Sequence, residues 1–288
     1  MRRRAVPERA VDAAFERRAA RADLLARGSV TATEPLRFAA GLYRTQGRLA
    51  LAIESLHAEH PLSGRLDYDA DRFVGDLAEL LRFAAEHGPP LLADEAGARG
   101  EEDGPSACSR LLEWWRGDRR SGEDYLSRAL LRPYVEVLAR VGVAPDRAHP
   151  PAGCPFCGGA PWIAARRHAA ASANAGDGDG AHRLLGCALC GGEWPLGRIL
   201  CPSCAEADPA KLPAFTSPSY AAVRIEACET CRHYVKSIDL TVDGRAIPEV
   251  DDLVSLGMDL WAARRGFARI EPGLAGEIAT AQPSCSES

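Results

Sequence analysis

No run in this sequence approaches the ~20 apolar residues a helix needs to cross a bilayer, which excludes a membrane-spanning helix. Nor is there a surplus of basic charge. Thirty-five Lys and Arg stand against 40 Asp and Glu, a formal net charge of -5, the opposite of what a general polyanion binder carries. Neither a membrane nor a nucleic acid is therefore an expected partner. Arg2 to Arg4 supply the positive start of an export signal, but the apolar stretch that should follow is missing. Glu8, Arg9, Asp12 and Glu16 to Arg18 interrupt it, so the chain is expected in the cytoplasm. A P-loop, a dinucleotide fingerprint and a Ser/His/Asp arrangement are all absent. No catalytic residue is assigned, and the chain reads as a non-enzyme.

What is abundant is cysteine. Of ten, eight fall into four CxxC pairs within residues 154–231. In a reducing compartment such pairs read as metal or redox sites, not as a disulfide framework. Cys154-Pro-Phe-Cys157-Gly158 and Cys201-Pro-Ser-Cys204 place proline after the first cysteine, and Gly191 follows Cys190 as Gly158 follows Cys157. These are knuckles, in which two thiolates hold one metal across a tight turn. Glycine permits the positive φ that aims backbone N–H groups at sulfur. One knuckle supplies two ligands, so a closed tetrahedral site needs two. Twenty-nine residues separate Cys157 from Cys187 and twenty-three separate Cys204 from Cys228, enough for a hairpin in each gap. Only ten separate Cys190 from Cys201. This spacing predicts one site of Cys154, Cys157, Cys187 and Cys190 and a second of Cys201, Cys204, Cys228 and Cys231. A crossed pairing of first knuckle with third is the alternative. Zinc, mononuclear iron and an iron–sulfur cluster all accept thiolates. Dithiol exchange is a weaker reading, because the βαβ unit that usually hosts it is absent.

The fold expected is α+β: a helical N-terminal domain (1–145), two rubredoxin-like or zinc-ribbon modules (150–196 and 197–245), a C-terminal helix (246–270) and a tail (271–288). Apolar periodicity predicts helices over about 9–27, 34–58 and 70–87, with Thr33 capping the second. Shorter helices are expected at 91–96 and 106–116, with a Gly-rich loop, Gly97 to Pro105, between them. A helix to about 141 is expected to open on a capping box, Ser121 with Asp124, and to be kinked by Pro133. Four prolines between Pro145 and Pro155 mark the domain boundary. Ala169 to Ala181 reads as a loop-tip insertion. Tyr234 to Val242 alternates like a strand, and a helix over 248–265 stops at Gly266.

Residues 151–240 hold as many acidic as basic side chains. Two loaded four-thiolate sites would make this region net negative, so a nucleic-acid face would have to be local, at Arg166, Arg167 and Arg183. Cys108 reads as a small buried hydrophobe and Cys285 as incidental. His149, His168, His182 and His233 flank the knuckles as substitute ligands. Asp251 and Asp252 suit either the first turn of the last helix or a partner contact. Trp114, Trp115 and Trp261 suit core or interface.

The metal region resembles the formate dehydrogenase accessory protein FdhE family. The likeness runs from Cys154-Pro-Phe-Cys157-Gly-Gly-Ala-Pro161 through Cys187-Ala-Leu-Cys190-Gly-Gly-Glu-Trp194 and Arg198-Ile-Leu-Cys201-Pro-Ser-Cys204. It continues in Glu226-Ala-Cys228-Glu-Thr-Cys231-Arg-His-Tyr234-Val-Lys236, Ile247-Pro-Glu-Val-Asp-Asp-Leu253 and Asp259-Leu-Trp-Ala262, with Gly266-Phe267. The resemblance implies the eight cysteines as metal ligands, with iron beside zinc as the metal. It also implies a cytoplasmic assembly factor that binds the catalytic subunit of formate dehydrogenase, a molybdenum or tungsten enzyme. Ala205 departs from the glycine expected after Cys204. A rubredoxin-like iron redox protein and a nucleic-acid-binding zinc ribbon are the rival readings.

Overall fold

The computed structural model describes residues 11–117, 124–167, 182–197 and 199–276. Arg2 to Arg4, Ser121, His168, the Ala169–Ala181 insertion, Arg198 and Cys285 lie outside them. Two compact units divide at Ala148/His149, with Leu25–Pro35 grouped with the second.

The first unit is helical. Its helices are α1 (Asp12–Gly28), α2 (Thr33–Glu59), α3 (Leu66–Asp69), α4 (Leu77–His87), α5 (Pro90–Gly100), α6 (Gly104–Arg116) and α7 (Tyr125–Val141). The apolar stripes go inward as their spacing demands: Leu42, Leu49 and Ile53 of α2, Leu77, Leu80 and Ala84 of α4, and Leu126, Leu130, Tyr134 and Val137 of α7 are buried. Several expected boundaries move. Thr33 is the first residue of α2 and not its cap; its hydroxyl donates to the Ser29 carbonyl. The third expected helix is broken into two 3-10 turns (Ala70–Arg72 and Val74–Asp76) and α4, with the short α3 just before it. The loop at Gly97–Pro105 shrinks, since α5 runs to Gly100 and α6 starts at Gly104, capped by Asp103 accepting from Ser106 N. Asp124 caps α7 by accepting from Ser127 N at 2.9 Å, a role expected of Ser121. Asp124 is fully buried and also takes Arg99 at 2.7 Å, so a carboxylate serves there better than a hydroxyl.

The second unit is built on one sheet. Its strands are β1 (Pro161–Arg167), β2 (His182–Cys187), β3 (Glu193–Pro195), β4 (Ala214–Thr216), β5 (Val223–Ala227), β6 (His233–Asp239) and β7 (Ala268–Arg269). The order is β3-β2-β1-β6-β5-β4, with β7 on β6. β1 and β2 form an antiparallel hairpin between the first two knuckles; β4 and β5 do the same between the last two. The two modules join because β1 and β6 pair in parallel, Ile163 opposite Lys236 through Arg166 opposite Asp239. The expected last helix is split into α8 (Pro248–Asp251), a 3-10 turn (Asp252–Ser255) and α9 (Leu256–Arg264), ending at Gly266 with φ 75°. Among the described residues, no helix is long and apolar enough to cross a membrane.

Candidate metal centres

Each knuckle repeats one backbone design. The carbonyl of its first cysteine accepts from the N–H four residues on: Gly158 to Cys154, Gly191 to Cys187, Ala205 to Cys201 and Arg232 to Cys228, at 2.8–3.2 Å. The first cysteine's own N–H donates to the carbonyl five residues on, at Gly159, Gly192, Glu206 and His233, each at 2.9 Å. The turn closes only if the residue after the second cysteine is left-handed. All four are: Gly158 φ 67°, Gly191 φ 66°, Ala205 φ 61° and Arg232 φ 60°. The first two pay no steric cost; Ala205 and Arg232 do. The alanine that departs from the family pattern thus keeps the turn and stores strain in it.

These turns bring the sulfurs together in two groups, Cys154, Cys157, Cys187 and Cys190 in one and Cys201, Cys204, Cys228 and Cys231 in the other, the ligand atoms of each within 4.8 Å of one another. The first knuckle thus faces the second and the third faces the fourth. Sulfur–sulfur separations are 3.6 Å for Cys154–Cys190, 3.4 Å for Cys157–Cys187, and 3.7 Å for both Cys201–Cys231 and Cys204–Cys228. A disulfide needs about 2.05 Å. A tetrahedron with metal–sulfur bonds of about 2.3 Å has edges of about 3.8 Å, so the spacing fits one ion per group. A multi-iron cluster with its bridging sulfides would force the thiolates farther apart.

Electrostatics agree. Burial pushes the Cys187 thiol up, while hydrogen bonds from Cys157, Cys187 and Cys190 hold the Cys154 thiol down. Burial likewise pushes Cys201 up to about 12. Four crowded sulfurs cannot all ionise unaided, and a divalent cation supplies the charge that lets them. Backbone N–H groups already point at sulfur: Leu189 N and Cys190 N at Cys187 Sγ, Gly192 N at Cys190 Sγ, and Ser203 N at Cys201 Sγ, at 3.3–3.4 Å. Each group can hold a metal ion.

The two centres differ in exposure. All four cysteines of the first are buried; in the second Cys204 is exposed and Cys231 half-exposed. Close backbone approach shapes the first: a Cβ at Gly159 would lie 2.7 Å from Cys187 Sγ and 3.3 Å from Cys157 Sγ. At the second, Glu206 bridges knuckles by accepting from the Thr230 hydroxyl. That bond and the N–H groups of Asp208 and Ala207 hold its carboxyl down at about 2.

Other flagged residues fall elsewhere. Among the described residues no histidine joins either group; His149 instead contacts the Phe156 carbonyl at 3.2 Å. The Cys108 thiol lies 3.3 Å from Asp71 and is pushed up to about 11, first by burial. The local basic face does not form, because Arg166 pairs with Asp239, Arg167 with Glu193 and Arg183 with Glu226, at 3.1, 2.8 and 2.7 Å. Asp252 is no surface contact: it is 3% exposed and lies inside a charge cluster.

That cluster escaped sequence reasoning. Lys236, fully buried, sits 2.5 Å from Asp259 and 2.9 Å from Asp252 and donates to the Asp252 carbonyl and the Ser255 hydroxyl. Arg269 reaches Asp252 at 2.8 Å and the Trp162 carbonyl at 2.8 Å; the Tyr234 hydroxyl donates to Asp259. Two cations and two carboxylates cancel inside the fold, tying β6, β7, β1 and the C-terminal helices into one body. A signal existed. Period two places Lys236 on the same strand face as Tyr234 and Ile238, and Asp252 and Asp259 are seven residues apart on one helical face.

Residues 199–274 match the model of the FdhE C-terminal domain. A protein named FdhE homolog from Aquifex aeolicus is 28% identical, over 73% of this chain and 72% of its own. Another of that name from Pseudomonas putida is also 28% identical, over 90% and 86%. The crystal structure of the FdhE protein from Pseudomonas aeruginosa superposes with a TM-score of 0.61 at 25% identity, covering 92% of this chain and 96% of that one.

Proposed function

Since the chain belongs to the FdhE family, we propose that it is an accessory factor for formate dehydrogenase, binding the catalytic subunit in the cytoplasm and needed for its maturation or activity. What supports the reading most is chain-long likeness to FdhE, through the helical unit as well as the cysteine region. The eight cysteines are the ligands of two mononuclear ions, iron or zinc. When bound, such an ion supplies cross-linking, which small modules need where their core is too small to hold them.

Deleting the gene is expected to lower formate oxidation by the host, and a tagged copy is expected to recover the catalytic subunit. A deletion strain with full formate oxidation sinks the proposal. Metal analysis of protein purified without added metal should return two ions per chain.

A rubredoxin-like electron carrier is the second reading, favoured by the exposed Cys204 at the second centre. It requires visible absorbance that bleaches reversibly with dithionite; tightly bound zinc with no visible band rules it out.

A further inference from the structure

Beside the second centre, three aromatic rings lie in a row. Trp261 of α9 meets Phe215 of β4 edge-on with centroids 4.8 Å apart, and Phe215 lies 6.2 Å from Phe267. A guanidinium covers each end: Arg265 Cζ is 4.6 Å from the Trp261 centroid, and Arg232 Cζ is 3.8 Å from that of Phe267. Trp261 and Phe215 stay half-exposed, and neighbouring Leu260 is 43% exposed.

Charge sets the row apart. Among the described basic residues of 149–276, Arg166, Arg167, Arg183, Lys211, Arg224, Arg232, Lys236, Arg245 and Arg269 each have a carboxylate within 4 Å. Arg264 and Arg265 have none among the described residues, and both are exposed. In an acidic chain whose other described cations here pair with carboxylates, Arg265 against the half-exposed Trp261 ring and Arg264 one residue before it are an exception. Arginine and tryptophan also dominate the energetic centres of protein interfaces.

We propose that Trp261, Phe215, Leu260, Arg264 and Arg265 form the docking surface for an acidic segment of the client polypeptide, carboxylates meeting the arginines and an apolar side chain covering the rings. This rests on the accessory-factor reading. A protein segment fits better than nucleic acid because the patch offers only two unpaired arginines, few for a phosphate backbone, beside apolar surface at Leu260, Trp261 and Phe215 that an apolar side chain would cover.

The test measures binding of the full-length, metal-loaded chain to immobilised formate dehydrogenase catalytic subunit at low and high salt. Arg264→Glu with Arg265→Glu is expected to weaken binding by about tenfold or more and flatten its salt dependence. Trp261→Ala should weaken it with metal content unchanged, whereas Arg245→Glu, a charge reversal elsewhere, should leave it within about twofold. Wild-type affinity in both patch variants, with metal content and melting temperature preserved, overturns the docking surface and leaves the accessory reading standing. If the wild-type chain does not bind the subunit at all, the accessory reading fails and the surface falls with it. If Trp261→Ala does not fold, the exposed arginine pair decides. Wild-type capture of RNA that is lost in the arginine variant overturns the assignment in favour of nucleic acid.

Discussion

At the scale of single residues, the knuckles turn on one backbone angle. Ala205 holds φ 61° where the first centre uses glycine. A left-handed L-residue costs about 1–2 kcal/mol, partly offset because glycine gains more freedom on unfolding. Ala205→Gly is therefore expected to stabilise the second module by about 0.5–1 kcal/mol, read as a higher urea midpoint. One residue past the left-handed position of the first knuckle, adding a methyl is harmful for a steric reason. Gly159→Ala puts a methyl 2.7 Å from Cys187 Sγ, backbone-mounted and unable to swing away. Metal analysis should then find one ion per chain in place of two, with the second centre kept.

At the scale of elements, the Lys236 cluster joins the C-terminal helices to the sheet. Lys236→Met leaves Asp252 and Asp259 sharing Arg269 alone; breaking a buried pair by removing one partner costs about 3–5 kcal/mol, measurable by urea unfolding. The sign of the pH dependence follows from Asp252. Burial pushes its carboxyl up, but Arg269 and Lys236 outweigh burial and hold it below the ordinary 3.8. A depressed carboxylate contributes stability that is fully present above its unfolded value and lost as pH falls through its folded one. Unfolding at a fixed urea concentration should therefore steepen below about pH 4, and less steeply in Asp252→Asn. The cluster also accounts for the break in the last helix: Lys236 draws the Asp252 and Ser255 carbonyls to itself, at 2.8 and 3.4 Å, and the chain tightens into a 3-10 turn there.

At the scale of the molecule, the two centres share one sheet but meet solvent differently. With Cys204 exposed and Cys231 half-exposed, the second has a route for chelator and protons that the buried first centre lacks. Stopped-flow chelation should resolve two phases, the fast one lost in Cys204→Ser. Equal rates for both ions would contradict the exposure difference.

The sequence by itself determined which cysteines gather in each group, the pairing of the knuckles and the helical-then-cysteine order. Each of these is a local matter: CxxC spacing sets a turn, gap length permits or forbids a hairpin, and apolar period sets a helix. Helix ends were less legible, as Thr33 and Ser121 show, because a cap competes with partners distant in sequence, such as Arg99 at Asp124. Only tertiary structure decided that the two modules form one sheet, that Lys236 neutralises Asp252 and Asp259, that Arg166, Arg167 and Arg183 are taken up in internal pairs, and that no described carboxylate reaches Arg264 or Arg265. Those outcomes depend on which chemically equivalent charges and strand edges meet across long stretches of chain, and no local spacing records that.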